Sequence, residues 1–167
     1  MTIRDWDGVA LIIGAGGIGK CMSDYLTTIS PKLDVFVCGR NLKSQNAIYL
    51  DLDNDHSFIS FENQISLFNK PLRLVINTSG FLHSTHLKPE KRLSHISRSN
   101  IIKNFSINSI APILIAKSIE KFIRPEFPFS YASLSARVGS IGDNRLGGWY
   151  SYRASKAAQN QFLKTLS

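Results

Sequence analysis

Tyr152 and Lys156 stand four residues apart in GGWYSYRASKAAQNQFLKTLS, residues 147 to 167. On a helix that spacing puts both side chains on one face. A phenol titrates near pH 10 and is a reluctant acid–base group at neutrality. A neighbouring ammonium favours the phenolate and lowers that pKa, so the pair suits proton transfer. An ordinary amphipathic helix can carry the same two residues, so the pair needs company. Tyr150 does not compete, because Ala154 stands four residues on.

A second chemistry-bearing pattern lies near the N-terminus. Gly14-Ala15-Gly16-Gly17-Ile18-Gly19 satisfies GxGxxG through Gly14, Gly16 and Gly19. Backbone N–H groups at a helix N-terminus must come close to a pyrophosphate, and side chains at these positions would block the approach. The pattern follows a buried-looking apolar run and precedes a helical one, which is the context it needs. A turn that merely packs a strand on a helix is the other reading. At the end of the second strand an acidic residue suits NAD, and an arginine suits the 2′-phosphate of NADP. Here the sequence is VCGRN, so Arg40 points to NADP; Asp34 opens that strand rather than ending it, and Lys20 adds a second positive charge after the turn.

The elements that must position these residues alternate along the chain. VALIIG (9–14) is a continuous apolar run, as expected of a strand buried on both faces. A helix over Ile18–Ile29 follows, then strands at 33–40 and 47–54 and a helix over 58–68. A fourth strand is expected at 72–80 and a long helix at 94–123, which Pro112 bends or splits. A fifth strand at 129–136, a glycine-rich loop and the closing helix complete the chain. Alternating strands and helices imply an α/β, Rossmann-like doubly wound parallel sheet of about five strands, in a single domain over 1–167.

Composition narrows the function classes. With 167 residues, 43% hydrophobic and 19% charged, the chain is globular rather than disordered. No apolar run is long enough to span a bilayer, and MTIRDWDG lacks the order of a signal peptide, so a soluble cytoplasmic protein is expected. Cys21 and Cys38 read as free buried thiols. The net charge of +8 is scattered, with a concentration in HLKPEKRLSHISRSN, and no recognition motif accompanies it. Small-ligand binding is therefore favoured over nucleic acid. His83 and His86 form HxxH without further convergent ligands, so no metal is expected.

The glycine turn, NTSG (77–80), INSIAP (107–112) and YxxxK occur in that order. The ordered set resembles the short-chain dehydrogenase/reductase family over essentially the whole chain. The resemblance implies an NADP(H)-dependent oxidoreductase that interconverts a small-molecule carbonyl and alcohol. Gly14, Gly16, Gly17, Ile18 and Gly19 would cradle the phosphates. Asp51 and Leu52 would meet the adenine, and Asn77 and Gly80 would support the sheet beside the cofactor. Tyr152 would be the acid–base, and Lys156 would tune it and hold the nicotinamide ribose. Asn108 would position a water in the proton path, and a serine would hydrogen-bond the substrate oxygen. A homodimer or homotetramer is implied through the long helix and the YxxxK helix.

The sequence departs from that pattern in three places. The glycine turn is one residue shorter than usual, with Ile13 where a threonine is common. The usual catalytic serine position holds Ala136, leaving Ser135 as the narrow favourite and Ser140 as the alternative. The chain also ends eleven residues after Lys156, where the resemblance implies further strands and a substrate loop. A C-terminally truncated, catalytically impaired dinucleotide-binding or interaction module is therefore the alternative expectation.

Overall fold

In the computed structural model, residues 2–167 are described. Five strands form one sheet: β1 (Gly8–Ile13), β2 (Leu33–Gly39), β3 (Ala47–Tyr49), β4 (Leu72–Asn77) and β5 (Ser130–Ser133). Their spatial order is β3-β2-β1-β4-β5, and every neighbouring pair is parallel. The helices are α1 (Gly17–Ile29), α2 (Asp55–Ile65), α3 (Arg98–Phe105), α4 (Ala111–Glu120) and α5 (Tyr150–Leu166). This is the doubly wound arrangement expected from the alternation. β1 is the central strand, and all six of its residues are buried, which is why its sequence is apolar throughout. The strand order reverses between β1 and β4, the crevice where such sheets bind ligands.

The contacts divide the chain into two compact units. The first, Met1–Ser79 with Ile115–Leu134, holds the whole sheet. Its core includes Ala10, Ile12, Leu26, Leu33, Val35 and Leu74, with Trp6 and Met22 packed against them. By strand alternation Val9, Leu11 and Ile13 face the opposite side of β1, where they are equally buried. The second unit, Gly80–Leu114 with Ser135–Ser167, is helical and carries α3 and α5.

Several boundaries differ from the sequence expectation, each for a local reason. The third strand keeps only three of its eight expected residues, because the chain turns at Leu52 and Asp53. α2 starts three residues early, because the Asn54 side chain accepts the His56 N–H (3.1 Å) as an N-cap. The long helix begins at Arg98, where Ser97 caps it by accepting from Asn100 N–H, and it is split by a π turn over Ser106–Ile110. That wide turn, closed by Ala111 N–H on the Ser106 carbonyl, precedes Pro112 and accommodates its ring and missing N–H. Cys38 is buried as expected, but Cys21 is exposed, on the solvent side of α1.

Candidate active site

The first unit holds the candidate dinucleotide residues. Gly14 follows β1 with φ +103, a conformation reserved in practice for glycine, and its N–H donates to the Cys38 carbonyl (2.9 Å). A β-carbon on Gly19 would lie 1.9 Å from the Gly14 carbonyl oxygen. Packing therefore demands glycine at both positions. Gly16 and Gly17 are different: a β-carbon there meets nothing within 4 Å. Gly16 is the N-cap of α1 and offers no side-chain acceptor to its first N–H groups. The middle of the turn is thus an open, donor-rich surface at a positive helix end, and it fits a phosphate group. Ile18 is exposed beside it.

Around the turn, neighbouring strands supply support. Ile13 has no hydroxyl, but Thr78 Oγ1 donates to the Ile13 carbonyl (3.0 Å) and reaches the Gly14 carbonyl (3.3 Å). Asn77 is buried; its Nδ2 donates to Ser133 Oγ (2.9 Å), tying β4 to β5, and its Oδ1 accepts the Ser79 N–H (3.0 Å). Gly39 at the end of β2 lies beside the turn, since a β-carbon on it would be 3.7 Å from Ala15 Cβ. Arg40 follows, exposed. Asp51 and Leu52 sit half-buried between β3 and α2, with the Asp51 backbone clamped at both ends by Ser57 Oγ.

The second unit gathers the proton-handling candidates. Asn108, in the π turn, pairs reciprocally with the main-chain N–H and carbonyl of one residue. Its Oδ1 accepts from Phe81 N–H (2.7 Å) and its Nδ2 donates to the Phe81 carbonyl (2.8 Å). Nδ2 also reaches Ser155 Oγ (3.0 Å), whose proton goes to the Tyr152 carbonyl (2.8 Å). Ser109 donates to the Ser155 carbonyl (2.7 Å). Two successive residues of the π turn are thus bonded to the middle of α5. A β-carbon on Gly80 would sit 3.7 Å from Asn108 Oδ1 and 3.8 Å from Lys156 Nζ, so the chain passes close to both.

Lys156 is buried, and desolvation brings its pKa down to about 8. Its Nζ donates to Gln159 Oε1 (2.8 Å), one turn along α5. Tyr152 is half-buried, packed edge-on against Trp149 with centroids 6.2 Å apart. The sequence expectation was a phenol pKa lowered by the ammonium. Burial instead raises it, and no cationic effect offsets that. Among the described residues the Tyr152 hydroxyl has no hydrogen-bond partner. The two candidate serines point elsewhere. Ser135 Oγ donates to Asn160 Oδ1 (2.6 Å). Ser140 Oγ accepts the Asp143 N–H (3.3 Å), and the residue lines a cavity of about 250 Å³ with Ile141, Tyr150, Arg153 and Ala154.

No family model matches the chain. It is similar to C-signal of Myxococcus xanthus, at 29% identity over 75 residues, covering 45% of each chain. It is also similar to 1-hydroxy-2-glutathionyl-2-methyl-3-butene dehydrogenase of Rhodococcus sp. (strain AD45), at 37% identity over 60 residues, 36% of this chain and 26% of that one. The chain thus matches less than half the length of these curated relatives. Among solved structures it superposes on carbonyl reductase Sniffer of D. melanogaster with TM-score 0.82 and 22% identity, over 96% of this chain and 74% of that one. For the NADPH-bound carbonyl reductase from chicken fatty liver the values are 0.79 and 22%, over 93% and 68%.

The fold is that of the short-chain dehydrogenases and reductases. Sequence reasoning missed Thr78 in the first unit, and Ser109, Asn100, Asn104 and Glu90 in the second. The last four are buried polar side chains. The spacing of Asn100, Asn104 and Asn108 by four was a usable signal, since it sets three amides on one helix face. Among the described residues no cluster of three metal-ligating side chains occurs, and no helix is long and apolar enough to cross a membrane.

Proposed function

We propose that residues 1–167 act as one dinucleotide-binding domain of an NADP(H)-dependent oxidoreductase, which interconverts a small-molecule carbonyl and its alcohol. The observation that carries this is the bonded set on α5: Asn108 on Ser155, Ser155 on the Tyr152 carbonyl, and buried Lys156 one turn beyond Tyr152. The open glycine turn of the first unit supports it, because Gly16 and Gly17 are needed by nothing in the protein itself.

When bound, NADPH supplies the hydride. Gly14, Gly16, Gly17, Ile18 and Gly19 would hold its phosphates. Arg40 would meet the 2′-phosphate, and Asp51 and Leu52 the adenine. Tyr152 gives its hydroxyl proton to the substrate oxygen as the carbonyl carbon is reduced. The raised phenol pKa keeps that proton in place at neutral pH. Lys156 carries positive charge below pH 8 and steadies the oxygen left behind. Asn108 would position a water on the proton path. Ser135 or Ser140 would have to turn from its present partner to meet substrate. A homodimer or homotetramer in the cytoplasm belongs to the same reading.

NADPH binding, followed by cofactor fluorescence, and turnover on aldehydes, ketones and quinones test this together. Binding and turnover are expected in the wild type. Tyr152→Phe should keep binding and lose roughly 10²–10⁴-fold in turnover. Binding without turnover in the wild type would favour a dinucleotide-binding module instead.

A further inference from the structure

We propose that Glu90 is a positioning residue for Tyr152, its carboxylate anchoring a ring of buried hydrogen bonds that grips α5 on both sides of that tyrosine. This rests on the reading of Tyr152 as the proton donor. Glu90 lies in the most basic stretch of the sequence, yet only 1% of it is exposed. Its Oε2 accepts the Ser151 N–H (3.2 Å). Its Oε1 accepts the Ser151 hydroxyl and the Asn100 amide (2.6 Å). Its main-chain carbonyl accepts the Trp149 N–H (2.5 Å). Ser151 is the second residue of α5, so Glu90 acts from sixty-one residues away as the N-cap that Trp149 cannot be.

The turn held this way is unusual. Gly147, Gly148 and Trp149 all have positive φ, at 63, 66 and 53°. A bulky side chain in that region persists only where its surroundings over-determine it. The Trp149 ring stands at 76° to that of Tyr152, so a shift of this turn reaches the phenol directly.

The ring closes through three asparagines. Asn108 Nδ2, whose two hydrogens are shared among Phe81, Ser155 and Asn104, reaches Asn104 Oδ1 (3.2 Å), and Asn104 Nδ2 donates to Asn100 Oδ1 (3.0 Å). Asn100 Nδ2 donates to Glu90. Along this series each amide nitrogen faces the oxygen one step nearer the carboxylate. Asn108 also bonds Ser155, so the ring meets α5 at Ser151 and Ser155, with Tyr152 between them. A carboxylate only accepts, so it fixes which way each amide in the series faces. A neutral amide at position 90 has one acceptor oxygen and cannot take all three donors.

The test uses Glu90→Gln and Ser151→Ala in the full chain. Two readouts are taken: steady-state reduction of a small aldehyde by NADPH, and acrylamide quenching of Trp149 in a Trp6→Phe background, since the chain has two tryptophans. For Glu90→Gln, kcat should fall about 10- to 100-fold with the KM for NADPH held within about twofold, and quenching should rise. Ser151→Ala should move both readouts the same way by less. A folded Glu90→Gln protein with unchanged kcat and quenching would overturn the proposal. So would a KM that rises in parallel with the loss of kcat, which marks general loosening. If Glu90→Gln does not fold, unchanged values for Ser151→Ala overturn it. If the wild-type chain reduces no carbonyl, the proposed function fails, and the quenching arm still decides whether Glu90 holds this turn.

Discussion

Gly139 and Lys156 meet backbone to backbone: a β-carbon on Gly139 would stand 2.9 Å from Lys156 Cβ and 3.0 Å from its carbonyl carbon. The short turn Arg137–Gly139 therefore rests directly on α5 at the candidate lysine. Gly139→Ala must push the two apart. It is expected to cost about 1–3 kcal/mol of stability and roughly 10- to 100-fold in turnover. Gly142→Ala, where a β-carbon meets nothing within 4 Å, is the matched control and should stay within about 0.5 kcal/mol. Thermal melts and steady-state kinetics on both variants check this.

The glycine turn separates folding from binding. Gly19→Ala puts a methyl into the Gly14 carbonyl and should unfold the turn or lower the melting temperature sharply. Gly17→Ala meets no protein atom. It should leave the melting temperature unchanged, or slightly raised by the better helix former, while weakening NADPH binding at least about tenfold. Equal NADPH affinity in Gly17→Ala and wild type would sink the phosphate assignment.

How far the sequence could be read follows from how local each signal is. β1 was legible because a central parallel strand needs apolar residues on both faces, and VALII supplies them. The Tyr152–Lys156 spacing was legible for the same kind of reason, as a period of one helix. The phenol's pKa was not, because it depends on burial that spacing does not encode. Glu90 was read as part of a charged stretch, since the partners that bury it, Asn100 and Ser151, are ten and sixty-one residues away. The split of the long helix was half-legible: Pro112 announced a defect, but the π turn that absorbs it lies upstream, over Ser106–Ile110.

Arg40 is exposed just past Gly39, whose own position beside Ala15 brings the end of β2 to the glycine turn. A guanidinium there suits a 2′-phosphate and has nothing to gain from a free ribose hydroxyl. Arg40→Ala should weaken NADPH by about 10- to 100-fold and leave NADH within about twofold, an effect of roughly 1.4–2.8 kcal/mol. Titrating both cofactors checks this, and an unchanged affinity ratio would remove the reason for preferring NADP.

Burial of Lys156 links stability to pH in a direction that can be derived. Its folded pKa is about 8 against 10.5 unperturbed, so between those values the unfolded chain binds more protons than the folded one. Stability then rises with pH through that window, and below pH 8 the buried ammonium costs on the order of 3 kcal/mol. Cys38 acts oppositely above pH 9, because burial raises its pKa and only the unfolded thiol ionises. The clean window is therefore pH 8 to 9, and the cleaner quantity is the difference from Lys156→Met, which keeps Cys38. Urea unfolding at pH 7, 8 and 9 should show the wild type gaining on Lys156→Met as pH rises. Parallel curves would mean that the ammonium is solvated and that its pKa is near that of an ordinary lysine.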